Sequence, residues 1–76
     1  MPLVEITGWS TGFMTTSCSD LLRSFAGLSP SDARTVVEKI LRKERQHVAA
    51  RSASDARLLA AALNRLGAAA RVVDAD

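Results

Sequence analysis

Residues 29–41 read SPSDARTVVEKIL and contain both a helix start and a helix face. Ser29 is of the type that caps a helix, Pro30 follows at the first helical position, and Asp32 places a negative charge in the first turn. Apolar residues then recur with the spacing of one helix face: Ala33, Val36, Val37, Ile40 and Leu41. This stretch predicts an amphipathic helix whose apolar stripe must pack against a second layer.

The same Ser-x-Ser-Asp pattern occurs at residues 17–20 and 52–55, and it predicts two further helix starts. We expect the first of these helices to stop at Gly27 and the last to stop at Gly67, because glycine readily takes the left-handed conformation that closes a helix. The last helix has its own apolar face: Ala56, Leu59, Ala60, Leu63 and Leu66. The copies share only capping residues, so we interpret them as common capping chemistry and not as a duplication.

Three other segments have the character of short strands. Residues 3–7 alternate apolar and polar side chains, and residues 47–50 and 69–73 are short segments that each follow a predicted helix. The predicted order is β-α-α-β-α-β. The predicted fold class is α+β, a two-layer sandwich in which a small three-stranded antiparallel sheet is covered on one face by three helices.

Residues 8–16 fit neither the helical nor the strand period, and we expect them to form a loop. This loop contains Trp9, Phe13 and Met14 among small polar residues. Large apolar side chains in such a loop either cover the core or form an exposed contact surface. The sequence leaves both alternatives open.

Length and composition limit the class of protein. A chain of 76 residues is expected to form one small domain, residues 1–76, and 47% hydrophobic with 24% charged residues is the balance of a folded chain. No apolar run approaches the length of a membrane span, and the N-terminus has no signal-peptide pattern. We therefore expect an intracellular, cytoplasmic protein without membrane contact.

Few residues of this chain are suited to catalysis or metal binding. Cys18 and His47 are the single cysteine and histidine, which excludes an internal disulfide and leaves too few ligands for a structural zinc site. They could act as nucleophile and base, but nothing in their spacing brings them together. No glycine-rich phosphate loop or paired-carboxylate motif occurs. We expect a binding protein without a cofactor, and not an enzyme.

Positive charge is concentrated in the middle of the chain. The net charge is +2 overall, whereas residues 34–51 carry six basic residues against Glu38 and Glu44, a net charge of +4. Such a segment attracts acidic protein surfaces or nucleic acid. In the nucleic-acid alternative, bases would stack on Trp9 and Phe13, and phosphates would bind a basic run: Lys39, Arg42, Lys43 and Arg45.

Residues 21–41, LLRSFAGLSPSDARTVVEKIL, and 48–72, VAARSASDARLLAAALNRLGAAARV, resemble the C-terminal domain of the bacterial ribosomal stalk protein. The resemblance covers about two thirds of the chain and nearly the whole order of elements. The matching residues are Arg23, Gly27, Leu28, Ala33, Arg34, Val36, Val37, Glu38, Asp55, Ala56, Leu66, Gly67 and Ala68. The resemblance implies the same fold, without the dimerisation region and hinge that precede this domain in the family.

The resemblance also implies a function in protein binding. The family's domain recruits translational GTPases through a basic and apolar patch on its first two helices, and Arg23 and Arg34 match two cationic positions of that patch. Where the family has lysine, valine and a further lysine, this chain has Thr15, Thr16 and Asp20. A charge reversal within a contact patch weakens attraction to an acidic partner.

The expected partner surface joins the matched arginines to the basic second helix and the aromatic loop: Arg23, Arg34, Lys39, Arg42, Trp9, Phe13 and Met14. The expected partner is a translational GTPase, another ribosome-associated factor, or a host or phage complex that the protein modulates. The helical region is similar to the Clp-protease adaptor that recognises N-terminal degradation signals. The positions of that adaptor's recognition residues hold Trp9, Ser10, Thr11 and Leu41 here, so its site is not implied. The sequence specifies no oligomeric state.

Overall fold

A computed structural model describes residues 2–74 and has the predicted order of elements. The elements are β1 (Pro2–Trp9), α1 (Thr15–Ala26), α2 (Pro30–Leu41), β2 (Gln46–Ala49), α3 (Ala53–Arg65) and β3 (Ala68–Asp74). The strands form an antiparallel sheet in the order β2-β1-β3, and the helices pack on it, which confirms the α+β prediction. None of the helices within residues 2–74 has the length and apolar content needed to cross a bilayer.

Two of the three predicted helix starts are confirmed. The Oγ of Ser29 accepts a hydrogen bond from the N–H of Asp32, with nitrogen and oxygen 3.1 Å apart. Ser52 accepts the N–H of Asp55 in the same way, also at 3.1 Å. Each serine therefore satisfies one first-turn donor that the helix itself cannot satisfy, and Pro30 occupies the first position of α2 as predicted.

The start of α1 is fixed by backbone contacts instead. Its N-cap is Met14, whose side chain makes no capping hydrogen bond. The N–H of Met14 donates to the carbonyl of Leu66 at 3.0 Å, and the N–H of Ser10 donates to the carbonyl of Gly67 at 2.8 Å. The predicted cap at residues 17–20 was wrong, because these contacts with the α3–β3 turn start the helix earlier in the chain.

Glycine follows α1 and α3 as predicted. Gly27 has a φ of 66° and Gly67 a φ of 97°, both in the left-handed region. Gly67 is also required by space, since a Cβ at this position would lie 3.1 Å from the Cα of Phe13. The segment before α1 therefore packs directly on the turn before β3.

The central strand β1 separates a closed face of the sheet from an open one. Val4 and Ile6 are fully buried beneath the helices, whereas Glu5 points to the opposite face. In register, Glu5 lies between His47 of β2 and Arg71 of β3. The largest fully buried side chains of the core are Ile6, Leu22, Ile40, Leu59, Leu63, Val4 and Cys18.

A β-bulge changes the direction of the last residues of β1. Ile6 and Gly8 pair with successive residues of β3, so Thr7 is an extra residue in the ladder. Without it, strict alternation would place Trp9 on the open face. With it, Trp9 pairs with the buried residue Ala68 and returns to the helical side of the sheet.

The irregular segment is consequently shorter than predicted. The sequence predicted a loop over residues 8–16, but β1 continues to Trp9 and α1 begins at Thr15. Only residues 10–14 lie between the two elements. The strand period was hidden by the bulge, and the helix start was hidden by the absence of a capping side chain.

The two side-chain caps predict that the three Ser-x-Ser-Asp patterns contribute differently to the free energy of unfolding. Ser29→Ala and Ser52→Ala should each lower the free energy of unfolding by about 1 kcal/mol, because a first-turn N–H loses its partner. Ser17→Ala is the matched control and should have little effect, since Ser17 lies inside α1 and caps nothing. Urea unfolding followed by circular dichroism measures all three. Equal losses at the three positions would contradict this assignment.

Candidate functional site

The hairpin of α1 and α2 carries the two arginines that match the family's patch. A shallow groove of about 280 Å³ lies between the helices, and Arg34, Val37 and Glu38 of α2 line one side of it. The other side belongs to α1: Thr15, Thr16, Ser19 and Asp20. Arg23 lines an adjoining depression that also includes Asp20. Both arginines therefore lie beside acidic side chains, so this surface is mixed in charge and not uniformly basic.

Two exposed apolar side chains lie at the ends of the hairpin helices, outside the lining of this groove. Met14, 54% exposed, directly precedes α1, and Leu41, 40% exposed, ends α2. The prediction that Leu41 belongs to the buried stripe was wrong. Leu41 follows Arg34 by seven residues, which is about two helical turns, so it shares the outward angular position of that arginine.

Trp9 connects the end of β1 to the end of α2. Its indole Nε1 donates a hydrogen bond to the carbonyl of Leu41 at 3.1 Å, which satisfies one of the terminal carbonyls of the helix. Its ring stacks on Phe13 with centroids 6.4 Å apart and 28° between the planes. Phe13 packs against the core, while Trp9 stays 36% exposed. Trp9 therefore both closes one end of the fold and contributes to its surface.

Lys39 and Arg42 lie apart from the α1–α2 groove. Lys39 follows Arg34 by five residues, which separates the two by about 140° around the helix axis. Arg42 lies beyond the last residue of α2, and its Nη1 is 3.8 Å from the Oε2 of Glu44. Of the predicted partner residues, the structure brings Arg23, Arg34 and the aromatic segment to the hairpin and directs Lys39 elsewhere.

A second cluster of charged side chains lies on the open face of the sheet. Glu5 is only 6% exposed, and its Oε1 accepts a hydrogen bond from the Nε of Arg71 at 2.9 Å. The other oxygen, Oε2, lies 3.0 Å from the Nε2 of His47 and 3.9 Å from the Nε of Arg45. Within this cluster one carboxylate joins side chains from all three strands and from the segment before β2.

These contacts determine the charge of Glu5. The hydrogen bond from Arg71 is the largest influence and holds the pKa of Glu5 below its ordinary value of 4.5. Burial acts in the opposite direction, and the hydrogen bond to His47 and the charge of Arg45 also lower the pKa. Glu5 is therefore a carboxylate at neutral pH and holds the cations around it in place.

The sequence interpretation did not identify Glu5 as a functional residue. It treated Glu5 only as the polar member of an alternating strand. The signal that could have revealed the cluster is the register of the sheet, because antiparallel pairing sets His47 and Arg71 directly opposite Glu5. Register depends on contacts between distant segments and is not visible in local composition.

Cys18 and His47 are not placed together. Cys18 is fully buried in the helical layer, whereas His47 contacts Glu5 on the open face, so the sheet lies between them. Burial also raises the pKa of the Cys18 thiol to about 11. Among residues 2–74, no three His, Cys, Asp or Glu side chains come close enough together to hold a metal ion.

The Glu5 cluster predicts a loss of stability in acid. A carboxyl with a depressed folded-state pKa contributes stability that is fully present above its ordinary pKa of 4.5 and is lost as the pH falls through the folded-state pKa. Glu5→Gln cannot titrate at this position. The difference in unfolding free energy between this variant and wild type should therefore shrink as the pH falls below the ordinary pKa of 4.5. Arg71→Gln removes the largest cause and should move this loss to higher pH. Urea unfolding across the pH range measures both effects, and a constant difference would contradict the prediction.

The burial of Cys18 predicts low thiol reactivity in the native protein. Iodoacetamide at about pH 8 should alkylate the urea-unfolded chain about tenfold faster, or more, than the folded chain, because the folded thiol is protonated and inaccessible. Mass spectrometry of the labelled protein over time gives both rates. Rapid alkylation of the folded protein at neutral pH would instead restore Cys18 as a candidate nucleophile.

Comparison with known proteins assigns no family to the chain. No protein-family model matches it, and no match was found among curated protein sequences. The functional argument therefore depends on the geometry and chemistry of the described residues.

Proposed function

We propose that this chain is a non-enzymatic protein-interaction module that binds its partner along the α1–α2 hairpin. The observation that carries this proposal is a charged groove between the two helices, beside Arg34, with part-exposed apolar side chains at the adjacent helix ends. We call these side chains the apolar end of the hairpin: Met14 before α1, Leu41 at the end of α2, and Trp9, whose indole donates to the carbonyl of Leu41. Protein interfaces combine an apolar centre with a polar rim and are enriched in tryptophan, methionine and arginine.

The resemblance to the ribosomal stalk domain supports a partner surface on the same side of the molecule. Arg23 and Arg34, the two matched cations, both lie beside the α1–α2 groove. The proposed partner is a translational GTPase or another ribosome-associated factor in the cytoplasm, and the alternative is a host or phage complex that the protein modulates. Asp20 and Glu38 lie in the same depressions, so the partner surface should offer charges of both signs.

A charge-reversal variant tests the charged half of this surface. Tagged protein should capture its partner from a nuclease-treated native lysate, and the double variant Arg23→Glu, Arg34→Glu should lose that protein, as measured by mass spectrometry. Arg57→Glu is the control for the effect of reversing an arginine charge elsewhere on the surface, because Arg57 is exposed on α3 away from the groove. Retention of the same partner by the double variant would show that the contact surface lies elsewhere.

The apolar end of the hairpin has its own matched pair of variants. Leu41→Ala should weaken binding of the captured partner by about tenfold, because an apolar side chain at the interface centre is lost. Leu58→Ala removes a leucine from α3 that is 56% exposed, more than Leu41, and should leave the affinity unchanged. Titration of the purified partner measures both. Equal effects of the two variants would remove the apolar end from the interface.

A further inference from the structure

A second groove of the helical layer lies between α1 and α3, on the other side of α1 from the proposed partner groove. Its volume is about 370 Å³, and Leu21, Ala62 and Leu66 form its apolar part. The rest of its lining is polar or charged: Ser17, Asp20, Ser24 and Arg65. We name it the α1–α3 groove. It shares only Asp20 with the lining of the α1–α2 groove, so the two surfaces can be tested separately.

Leu58 is an exposed apolar residue next to this groove. It precedes Ala62 by four residues and Arg65 by seven, so all three lie on one side of α3. Leu58 is the most exposed of the large apolar residues that the structure describes, and it lies outside the hairpin surface. One side of α3 therefore carries an apolar projection about one helical turn from an apolar depression.

The charges of the α1–α3 groove are one acid and one base, and both are exposed. Neither Asp20 nor Arg65 forms an ion pair with another charged side chain of the described residues. The lining contains no other charged residue, so its net charge is zero, whereas the whole chain carries +2. Copies of a positively charged chain repel each other, and this repulsion is weakest where a neutral patch faces a neutral patch.

These features make the surface around the α1–α3 groove complementary to itself. Two copies related by a two-fold axis meet through the same patch, so the patch must contain both halves of every contact. Here Leu58 is the projection for the depression beside Ala62, and Asp20 is the acid for the base Arg65. The small side chains of Ala61 and Ala62 let a second helix approach α3 closely. Shape and charge complementarity therefore point to a second copy of this chain as the occupant.

We propose that this chain forms a weak two-fold dimer in which Leu58 of each copy enters the α1–α3 groove of the other. Asp20 of each copy then contacts Arg65 of the other copy. Leu58 lies towards the start of α3 and the depression towards its end, so the two α3 helices run antiparallel. The α1–α2 hairpin stays accessible on both copies, and the dimer therefore presents two partner surfaces. Because each copy contributes little more than one helix and one shallow groove, we expect a dimer dissociation constant of about 100 µM.

Sedimentation equilibrium of the full chain tests this proposal. Between about 5 µM and about 1 mM, wild-type protein should change from monomer to dimer. Leu58→Ala should raise the dimer dissociation constant by about tenfold or more, because the projecting side chain at the centre of the contact is lost. Val72→Ala is the matched control, since Val72 is an exposed apolar residue of β3 outside the groove, and it should leave the constant unchanged.

A charge exchange tests the contact between Asp20 and Arg65. Asp20→Arg and Arg65→Asp should each prevent dimerisation up to about 1 mM, because each variant brings like charges together at both contacts. An equimolar mixture of the two variants should dimerise, since arginine then meets aspartate at both contacts. The double variant Asp20→Arg, Arg65→Asp restores both pairs and should have a dissociation constant within about threefold of wild type.

Several results would overturn the proposal. Wild-type protein that stays monomeric to about 1 mM excludes the dimer, and unchanged association of folded Leu58→Ala excludes this surface. A mixture of the charge variants that stays monomeric excludes the ion pair, and assembly beyond two copies excludes the two-fold contact. Thermal unfolding establishes that each variant is folded, and the wild-type measurement needs no variant. Partner titrations below about 10 µM use the monomer, so Leu58→Ala remains a control there and either proposal can fail without the other.

Discussion

The central position of β1 is the constraint on which the rest of this structure depends. Because β1 has a partner on both sides, its alternation sends Val4 and Ile6 into the helical layer and Glu5 to the open face. A carboxylate with so little exposed surface is unfavourable unless cationic or hydrogen-bonding groups pair with it. The pairing that builds the sheet also brings Arg71 and His47 to this carboxylate, so the same register serves stability and the surface charge.

The end of β1 is positioned by irregular contacts and not by regular pairing. The bulge at Thr7 turns Trp9 to the helical side, where its indole reaches the last carbonyl of α2. The close approach of Phe13 to Gly67 holds the next segment against the α3–β3 turn. As a result, Trp9 lies at the end of the hairpin, where it both covers the core and remains partly exposed.

The sequence was sufficient for those features that depend on neighbouring residues. Ser29 with Asp32, Ser52 with Asp55 and the helical apolar stripes are local patterns, and they gave the helices and the fold class. The start of α1 was missed because the N–H of its N-cap, Met14, donates to the carbonyl of Leu66, far along the chain. The Glu5 cluster was missed for the same reason, since composition shows which residue types are present but not which residues face each other across a sheet.

The distribution of charge shows why this distinction matters for function. The basic middle segment is continuous in sequence, yet its residues separate in space: Arg34 lies on the hairpin beside Asp20, whereas Arg45 approaches Glu5 on the open face of the sheet, where Arg71 also contacts it. A surface of mixed charge selects a partner through complementary pairs and shape. The fold therefore converts one linear basic segment into two surfaces with different physical properties, and a variant in one segment of sequence can affect either of them.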